Sequence, residues 1–104
     1  MVNVDFVIVA KVSEINEGEG KVVEANGKEI ALFNVDGSFY AIDNTCKHAG
    51  GPLGEGICEG NVVTCPWHQW KYDVTTGISV VNPQIKVDTY EVKVEGDEVK
   101  VKVE

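Results

Sequence analysis

The two histidines of this 104-residue chain each follow a cysteine closely, and this pattern constrains the fold more than any other feature. Cys46 and His48 form a C-x-H pair, and Cys65 and His68 form a C-x-x-H pair. A segment typical of a β-strand precedes each pair, SFYAID before the first and NVVT before the second. Two loops at strand ends can therefore meet around one site, with two thiolates and two imidazoles as ligands.

This ligand set fits two kinds of metal site. Two cysteines and two histidines can bind a tetrahedral zinc ion, or a 2Fe-2S cluster in which one iron takes the cysteines and the other the histidines. Zinc sites favour C-x2-C spacings, in which both ligands of a loop bind the same ion. In the cluster each loop must instead deliver one ligand to each iron, which the mixed pairs can do. The spacing favours a cluster, and a structural zinc-binding interaction domain remains an alternative.

Three turn signals predict an all-β fold: Asn26-Gly27, Asp36-Gly37 and Gly96-Asp97, each flanked by β-branched or aromatic residues. Around the last turn, valines alternate with glutamate and lysine, which predicts two strands with one buried face; the valines are Val92, Val94, Val99, Val101 and Val103. Helical spacing is sustained nowhere. The sequence therefore predicts an antiparallel β-sandwich or small barrel.

The glycine-rich segment from Asn44 to Asn61 interrupts this strand pattern. We expect a long loop here, and a loop of that length in a compact domain is usually functional or disordered. Because it holds Cys46 and His48, we interpret it as functional. Cys58 also lies in it but has no place in the ligand pattern, so we expect a buried small hydrophobic residue.

Charge and composition narrow the class of protein further. The chain has 17 acidic residues against 9 lysines, and its net charge of -8 disfavours nucleic acid and membrane partners. The apolar run VIVA near the N-terminus lacks a preceding basic region, so we predict neither a signal peptide nor a membrane anchor. Three cysteines, an odd number, fit a reducing compartment better than a disulfide framework. We therefore expect a cytoplasmic protein.

The ligand loops, the HAGGPL run, Trp70 and Tyr72, the TTG turn at residues 75 to 77 and the closing VDTYEVKVEGDEVKV resemble Rieske iron-sulfur proteins. The likeness covers nearly the whole chain and is closer to the small Rieske-type ferredoxins that supply oxygenases. It implies a single domain, residues 1–104, with an inserted cluster-binding subdomain at about residues 44–73. It also implies one 2Fe-2S cluster, and its ligands would be Cys46 and Cys65 on the inner iron and His48 and His68 on the outer iron.

The function implied by the resemblance is that of a soluble one-electron carrier. Such a protein passes electrons from a reductase to a terminal enzyme, here a multicomponent aromatic-ring oxygenase, and catalyses no substrate turnover itself. The sequence agrees, since it shows no nucleophile, acid–base pair or nucleotide loop. We expect a monomer. The alternative within redox biology is a Rieske-like subunit of a nitrite reductase.

Three departures from the high-potential members of this family predict a low reduction potential. Gly51 and Trp67 stand where those members have two disulfide-forming cysteines, and Trp70 stands where they have a serine that donates to a bridging sulfide. Tyr72 would act in the opposite direction if, as the resemblance implies, its hydroxyl donates to a ligand sulfur. We expect a potential near the bottom of the Rieske range of roughly -150 to +300 mV.

Overall fold

The computed structural model describes residues 5–25, 27–45, 52–67 and 69–103. Within these ranges the chain forms β-strands joined by turns and two short 3-10 turns, Val12–Glu14 and Leu53–Glu55, and every strand pair is antiparallel. The predicted all-β fold is confirmed. The strands are β1 (Asp5–Lys11), β2 (Gly20–Ala25), β3 (Lys28–Val35), β4 (Ser38–Asp43), β5 (Ile57–Glu59), β6 (Val62–Thr64), β7 (Lys71–Asp73), β8 (Thr89–Tyr90), β9 (Val92–Glu95) and β10 (Glu98–Val103).

The strands form three sheets. The terminal sheet has the order β1-β10-β9, the central sheet β2-β3-β4-β8 and the small sheet β5-β6-β7. In the terminal sheet Asp5 lies opposite Val103, so the first and last strands are direct neighbours. The described part of the chain contains no helix that is long and apolar enough to span a membrane.

The predicted hairpins form with two-residue turns. Asp36 and Gly37 have φ values of 52° and 88° between β3 and β4, and two positive φ values are typical of the tight turns that suit twisted strands. Gly27, between β2 and β3, has a φ of 79°, and its partner Asn26 lies outside the described residues. Gly96 begins the turn between β9 and β10 with a φ of 63°.

The predicted buried face of the last hairpin is correct for β10 and wrong for the end of β9. Val99 and Val101 are fully buried, whereas Val94, directly opposite Val99, is 45% exposed. β9 is an edge strand of the terminal sheet, so the core covers its far end only in part. The side chain of Val103 lies outside the described part of the structure.

The prediction of an uninterrupted loop from Asn44 to Asn61 is wrong in its second half. Leu53–Glu55 forms a 3-10 turn, and Ile57–Glu59 is the strand β5, paired with β6 through the turn at Gly60. A strand of three residues is too short to show alternation, and the neighbouring glycines hide it further. Residues 46–51, the first half, lie outside the described ranges.

Two hydrophobic cores lie on opposite faces of the central sheet. Alternate residues of β3 point to opposite faces, and both faces are buried, which explains the continuous apolar run IALF. Ile30 and Leu32 face the terminal sheet and pack in the same core as Val99 and Val101. The second core, on the other face, joins β3 and β4 to the small sheet; it contains Ala31, Phe33, Ile42, Leu53, Cys58, Val63, Cys65, Tyr72, Val74 and Val87.

Candidate metal centre

Cys65 begins the second ligand loop in a buried position. It follows β6 directly, its side chain has no solvent exposure, and its backbone N–H donates to the carbonyl of Trp70 over 2.6 Å. This bond closes the loop at its base. Farther along, Trp67 and Gln69 are exposed, and Gln69 has a φ of 60°. The loop thus runs from a buried thiol to solvent-exposed residues, while His68 lies outside the described residues.

The first ligand loop is pinched at its base. Cys46 and His48 lie outside the described residues, but the residues on either side of the loop are in place. Thr45 and Pro52 form an antiparallel bridge, and next to it the N–H of Leu53 donates to the carbonyl of Asn44 over 2.7 Å. The chain therefore leaves β4 at Thr45 and is back at the same place by Pro52.

The bases of the two loops meet in the second core. Leu53, just after the first loop, and Cys65, at the start of the second, are both fully buried members of that core. β5 also lies very close to β6 here, since a Cβ on Gly56 would collide with the carbonyl oxygen of Thr64. Shared packing fixes the two loops relative to each other, as a site with ligands from both requires.

Tyr72 and Trp70 both pack in the second core. Tyr72 has no solvent exposure and lies opposite Val63 in the β6–β7 pair, while Trp70 is partly buried against the same core. The side chain of Tyr72 thus belongs to the core that contains Cys65. A hydrogen bond from its hydroxyl to a ligand sulfur stays a prediction.

The TTG sequence at residues 75 to 77 forms the predicted turn. Gly77 has a φ of 77°, and a Cβ at this position would collide with the carbonyl oxygen of Val87. Sequence reasoning missed Asp73, which organises the turn: its Oδ1 accepts from the Thr75 N–H and hydroxyl over 2.8 and 2.6 Å. Its Oδ2 accepts from Asn61 Nδ2 over 3.2 Å, which ties the turn to the β5–β6 hairpin.

Three exposed apolar side chains, which we call the apolar tip, lie in the second loop or beside the strand that follows it: Trp67, Val80 and Val81. These side chains are 51%, 50% and 65% exposed. The N–H of Val80 donates to the carbonyl of Lys71 over 3.0 Å, so the valines lie beside the strand in which the second loop ends. The hydroxyl of the buried Ser79 accepts from the N–H groups of Val81 and Asn82, both over 3.2 Å. In the sequence, only the adjacent valines of SVVNP could have indicated this surface.

Cys58 has the structural role that we expected. It is buried in the second core, and its thiol donates to the carbonyl of Gly60 over 3.5 Å. Burial raises the pKa of this thiol, which favours the neutral form over the thiolate that binds metal. Glu55 and Glu59, which lie before and after it in the sequence, are exposed.

The residue types of the two loops fit an iron-sulfur cluster, and of the four candidate ligands Cys65 lies within the described residues, with its thiol buried at a loop base. The described ranges by themselves contain no group of three His, Cys, Asp or Glu side chains that could hold a metal ion. Thr45 and Pro52, which flank the segment with Cys46 and His48, pair with each other. Two cysteines and two histidines on two loops are the donor set of a Rieske centre.

Comparison with known proteins agrees with this fit. Residues 5–101 match the family described as the Rieske [2Fe-2S] domain. The ferredoxin component of the naphthalene 1,2-dioxygenase/salicylate 5-hydroxylase systems of Ralstonia sp is 41% identical over 101 residues, which cover 96% of this chain and 97% of that one.

Solved structures show the same likeness. The ferredoxin of carbazole 1,9a-dioxygenase from Nocardioides aromaticivorans IC177 has a TM-score of 0.89 at 29% identity, over 95% of this chain and 98% of that one. A chain from a complex of reduced oxygenase and oxidized ferredoxin in carbazole 1,9a-dioxygenase has a TM-score of 0.86 at 31% identity, over 96% and 94%. These matches favour the cluster over the zinc alternative. The chain belongs to the Rieske [2Fe-2S] domain family, whose cofactor is a Rieske-type 2Fe-2S cluster.

Proposed function

We propose that this protein is a one-electron carrier that takes electrons from a reductase and delivers them to the terminal oxygenase of an aromatic-ring dioxygenase system. The observation that carries the proposal is the 41% identity to a dioxygenase ferredoxin component over 96% of this chain and 97% of that one. A bound Rieske cluster supplies reversible one-electron transfer. The protein catalyses no substrate turnover itself and works in the cytoplasm.

The cluster ligands in this proposal are Cys46, His48, Cys65 and His68. The buried position of Cys65 supports its assignment to the inner iron. Leu53 and Tyr72, both fully buried beside it in the second core, exclude water from this side of the site. The remaining task of the chain is to hold the two loops at a fixed separation and to expose one side of the site to a partner.

The domain organisation in this proposal is a single domain, residues 1–104, with a cluster-binding subdomain at about residues 44–73. The small sheet supports the upper limit. It starts at Ile57, the first residue of β5, and ends at Asp73, the last residue of β7. The strands before and after this segment, β4 and β8, pair with each other in the central sheet. The subdomain is thus an insertion between two neighbouring strands.

The apolar tip supports docking of the oxygenase beside the second ligand loop. Exposed apolar residues that lie together commonly mark protein interaction sites, and aromatic residues are enriched at such sites. The tip combines one tryptophan and two valines, each at least half exposed. Docking there would bring a partner next to the loop that carries His68.

The experiment is electron transfer with purified components of an aromatic-ring dioxygenase system. The iron-loaded protein should be reduced by the reductase in the presence of NADH and reoxidised by the oxygenase only when aromatic substrate and oxygen are present. Visible absorption follows both steps. A protein that contains zinc, no iron and no acid-labile sulfide would contradict the proposal. A protein that transfers electrons only to a nitrite reductase would instead support the alternative partner.

A further inference from the structure

Asn44 is a buried polar residue at the point where the first ligand loop begins. Its side chain is 4% exposed, and it lies between β4 and Thr45. The side-chain oxygen Oδ1 accepts a hydrogen bond from the N–H of Gly54 over 2.8 Å, and the backbone carbonyl accepts from the N–H of Leu53 over 2.7 Å. One residue therefore binds the returning end of the loop through two bonds.

Asn44 also joins this loop base to the central sheet. Its own N–H donates to the carbonyl of Glu29 in β3 over 3.3 Å. On the other side, Gly54 packs so closely that a Cβ there would lie 3.1 Å from Asn44 Oδ1 and 2.7 Å from Val22 Cγ2. The loop base is therefore held against both β2 and β3 of the central sheet.

The contact extends to the second ligand loop through Leu53. This side chain is fully buried in the same core as Cys65. A shift of the Leu53–Gly54 backbone would therefore move the first loop and loosen the packing around the base of the second. Both loops depend on the position that the Asn44 side chain gives to Gly54.

We propose that Asn44 is a positioning residue for the cluster, which sets the separation of the two ligand loops and so controls how firmly the cluster is retained. The inference rests on the proposed function only through the assignment of the ligands. Asparagine suits the role because it offers an uncharged acceptor at the reach that Gly54 requires, in a site where a charge is costly.

The test compares Asn44→Ala with a matched control, Asn34→Ala. Asn34 is buried to a similar extent, at 5%, and its side chain makes two hydrogen bonds, from Nδ2 to the Ile15 carbonyl over 2.9 Å and from the Gly37 N–H to Oδ1 over 2.9 Å. It lies at the β3–β4 turn, away from both loops. Each alanine variant removes a buried amide, so both should lower the stability of the fold to a similar extent.

The readout that separates the two roles is cluster retention. In the presence of an iron chelator, we expect the Asn44→Ala protein to lose visible absorption about tenfold faster than wild type, equivalent to about 1.4 kcal/mol. Asn34→Ala should bleach at the wild-type rate. Asn44→Asp keeps an acceptor for Gly54 but buries a costly charge, so bleaching should slow only part of the way back to the wild-type rate, while the added negative charge lowers the reduction potential.

Three outcomes would overturn the inference: equal bleaching rates for the two alanine variants, unchanged bleaching in Asn44→Ala, or no recovery in Asn44→Asp. If Asn44→Ala does not fold, Gly54→Ala disturbs the same contact from the other side and must show the same fast bleaching. The proposed function fails separately, if the wild-type protein itself assembles no iron-sulfur cluster. If the wild-type protein carries the cluster and the Asn44→Ala protein bleaches no faster than wild type, only the proposed role of Asn44 is refuted.

Discussion

The small sheet and the two larger sheets of this molecule are stabilised in different ways. The central and terminal sheets contain strands of up to eight residues, and their shared core consists of ordinary aliphatic and aromatic side chains. Every strand of the small sheet has three residues. Its core depends on Ala31, Phe33 and Ile42, which belong to β3 and β4 of the central sheet. We therefore expect the small sheet to depend on the larger sheets more than they depend on it.

This difference indicates which region of the structure a bound cluster stabilises most. A ligand that binds only the folded state stabilises the part of the structure that holds it. Here that part is the region of short strands and tight turns, which has the least packing of its own. We therefore expect loss of the cluster to loosen the small sheet while the larger sheets persist.

Replacing a ligand tests this comparison with the largest effect. Cys65→Ser should abolish cluster assembly, because a serine hydroxyl is a poor substitute for thiolate at iron. Amide hydrogen exchange should then accelerate in β5, β6 and β7 and remain slow in β3 and β10. Iron and sulfide analysis confirms the loss of the cluster.

Cys58→Ser is the control for this substitution, because Cys58 lies in the same core and is no ligand in our assignment. It should keep the cluster and the wild-type visible spectrum. Uniformly fast exchange over the whole Cys65→Ser chain would show that the two regions unfold together.

Two leucines test the cores separately. Leu53 and Leu32 are both fully buried, the first in the second core and the second in the core between the larger sheets. Each change to alanine should cost about 2–5 kcal/mol of unfolding free energy. Only Leu53→Ala should also accelerate cluster bleaching in the absence of denaturant. Equal bleaching in both variants would mean that the cores are not independent.

Alanine substitutions at two glycines compare the backbone constraints of the two regions. Gly77 and Gly27 have φ values of 77° and 79°, so alanine is strained at either position. At Gly27 nothing lies within 4 Å of the added Cβ, and we expect a cost of about 1 kcal/mol. At Gly77 the Cβ would also collide with the Val87 carbonyl, so the cost should be larger, about 2–3 kcal/mol. Urea denaturation of both variants measures the difference, and equal values would contradict it.

Replacing one tyrosine in each region should affect the reduction potential of the cluster differently. Tyr72→Phe should lower the potential by about 40 mV, the one-electron equivalent of a hydrogen bond of about 1 kcal/mol to a ligand sulfur. Trp70→Ser should raise it, because serine can donate to a sulfide. Tyr90→Phe, in β8 of the central sheet, should leave it unchanged. Redox titration decides, and a shift of the opposite sign in either site variant would refute the hydrogen-bond explanation.

The smallest effect concerns an ion pair of the terminal sheet. Lys100 Nζ lies 2.7 Å from Glu95 Oε1, which lowers the pKa of Glu95 and raises that of Lys100. The contribution of Glu95 is present above the ordinary pKa of glutamate and is lost as the pH falls through its lowered value. That of Lys100 is present below the ordinary pKa of lysine and is lost as the pH rises through its raised value.

Because Glu95 is half exposed and Lys100 is only partly buried, water screens the pair, and Glu95→Gln should cause only a small loss of stability at neutral pH. The loss should disappear at high salt and below the lowered pKa of Glu95. Thermal unfolding at two salt concentrations and two pH values measures it. The reduction potential should stay at the wild-type value, since the pair lies in the terminal sheet. A salt-independent loss would point to packing by the Glu95 stem.

Turn chemistry is a part of this molecule that the sequence predicts well. Asp36-Gly37 strongly favours a tight turn between strands, and the spacing of Cys65 and His68 indicates a cluster whose ligand residues stay a prediction. Both signals are local. β5 was missed because its three residues become a strand only when β6 lies beside them. The pairing of β1 with β10 joins opposite ends of the chain, which no local pattern can specify.

The supporting polar residues escaped prediction for a related reason. Asn44, Asp73 and Ser79 are ordinary loop residues in the sequence, and their roles arise from backbone groups that the fold brings to them. Buried backbone N–H groups must find an acceptor, but which side chain provides it depends on tertiary structure. The ligand assignment stays a prediction, and sequence reasoning missed the residues that hold the bases of the two loops.

The hydrogen bonds of Ser79 bear on how long the carrier stays bound to its partner. Its hydroxyl accepts from the backbone of the apolar tip, so the valines are already ordered before contact, and little entropy is lost on docking. A surface of three side chains is also too small for a long-lived complex. We therefore expect association without a rearrangement step and rapid release after each electron. Because a 2Fe-2S cluster delivers one electron at a time, rapid release lets the same carrier molecule leave to be reduced again and return with the next electron.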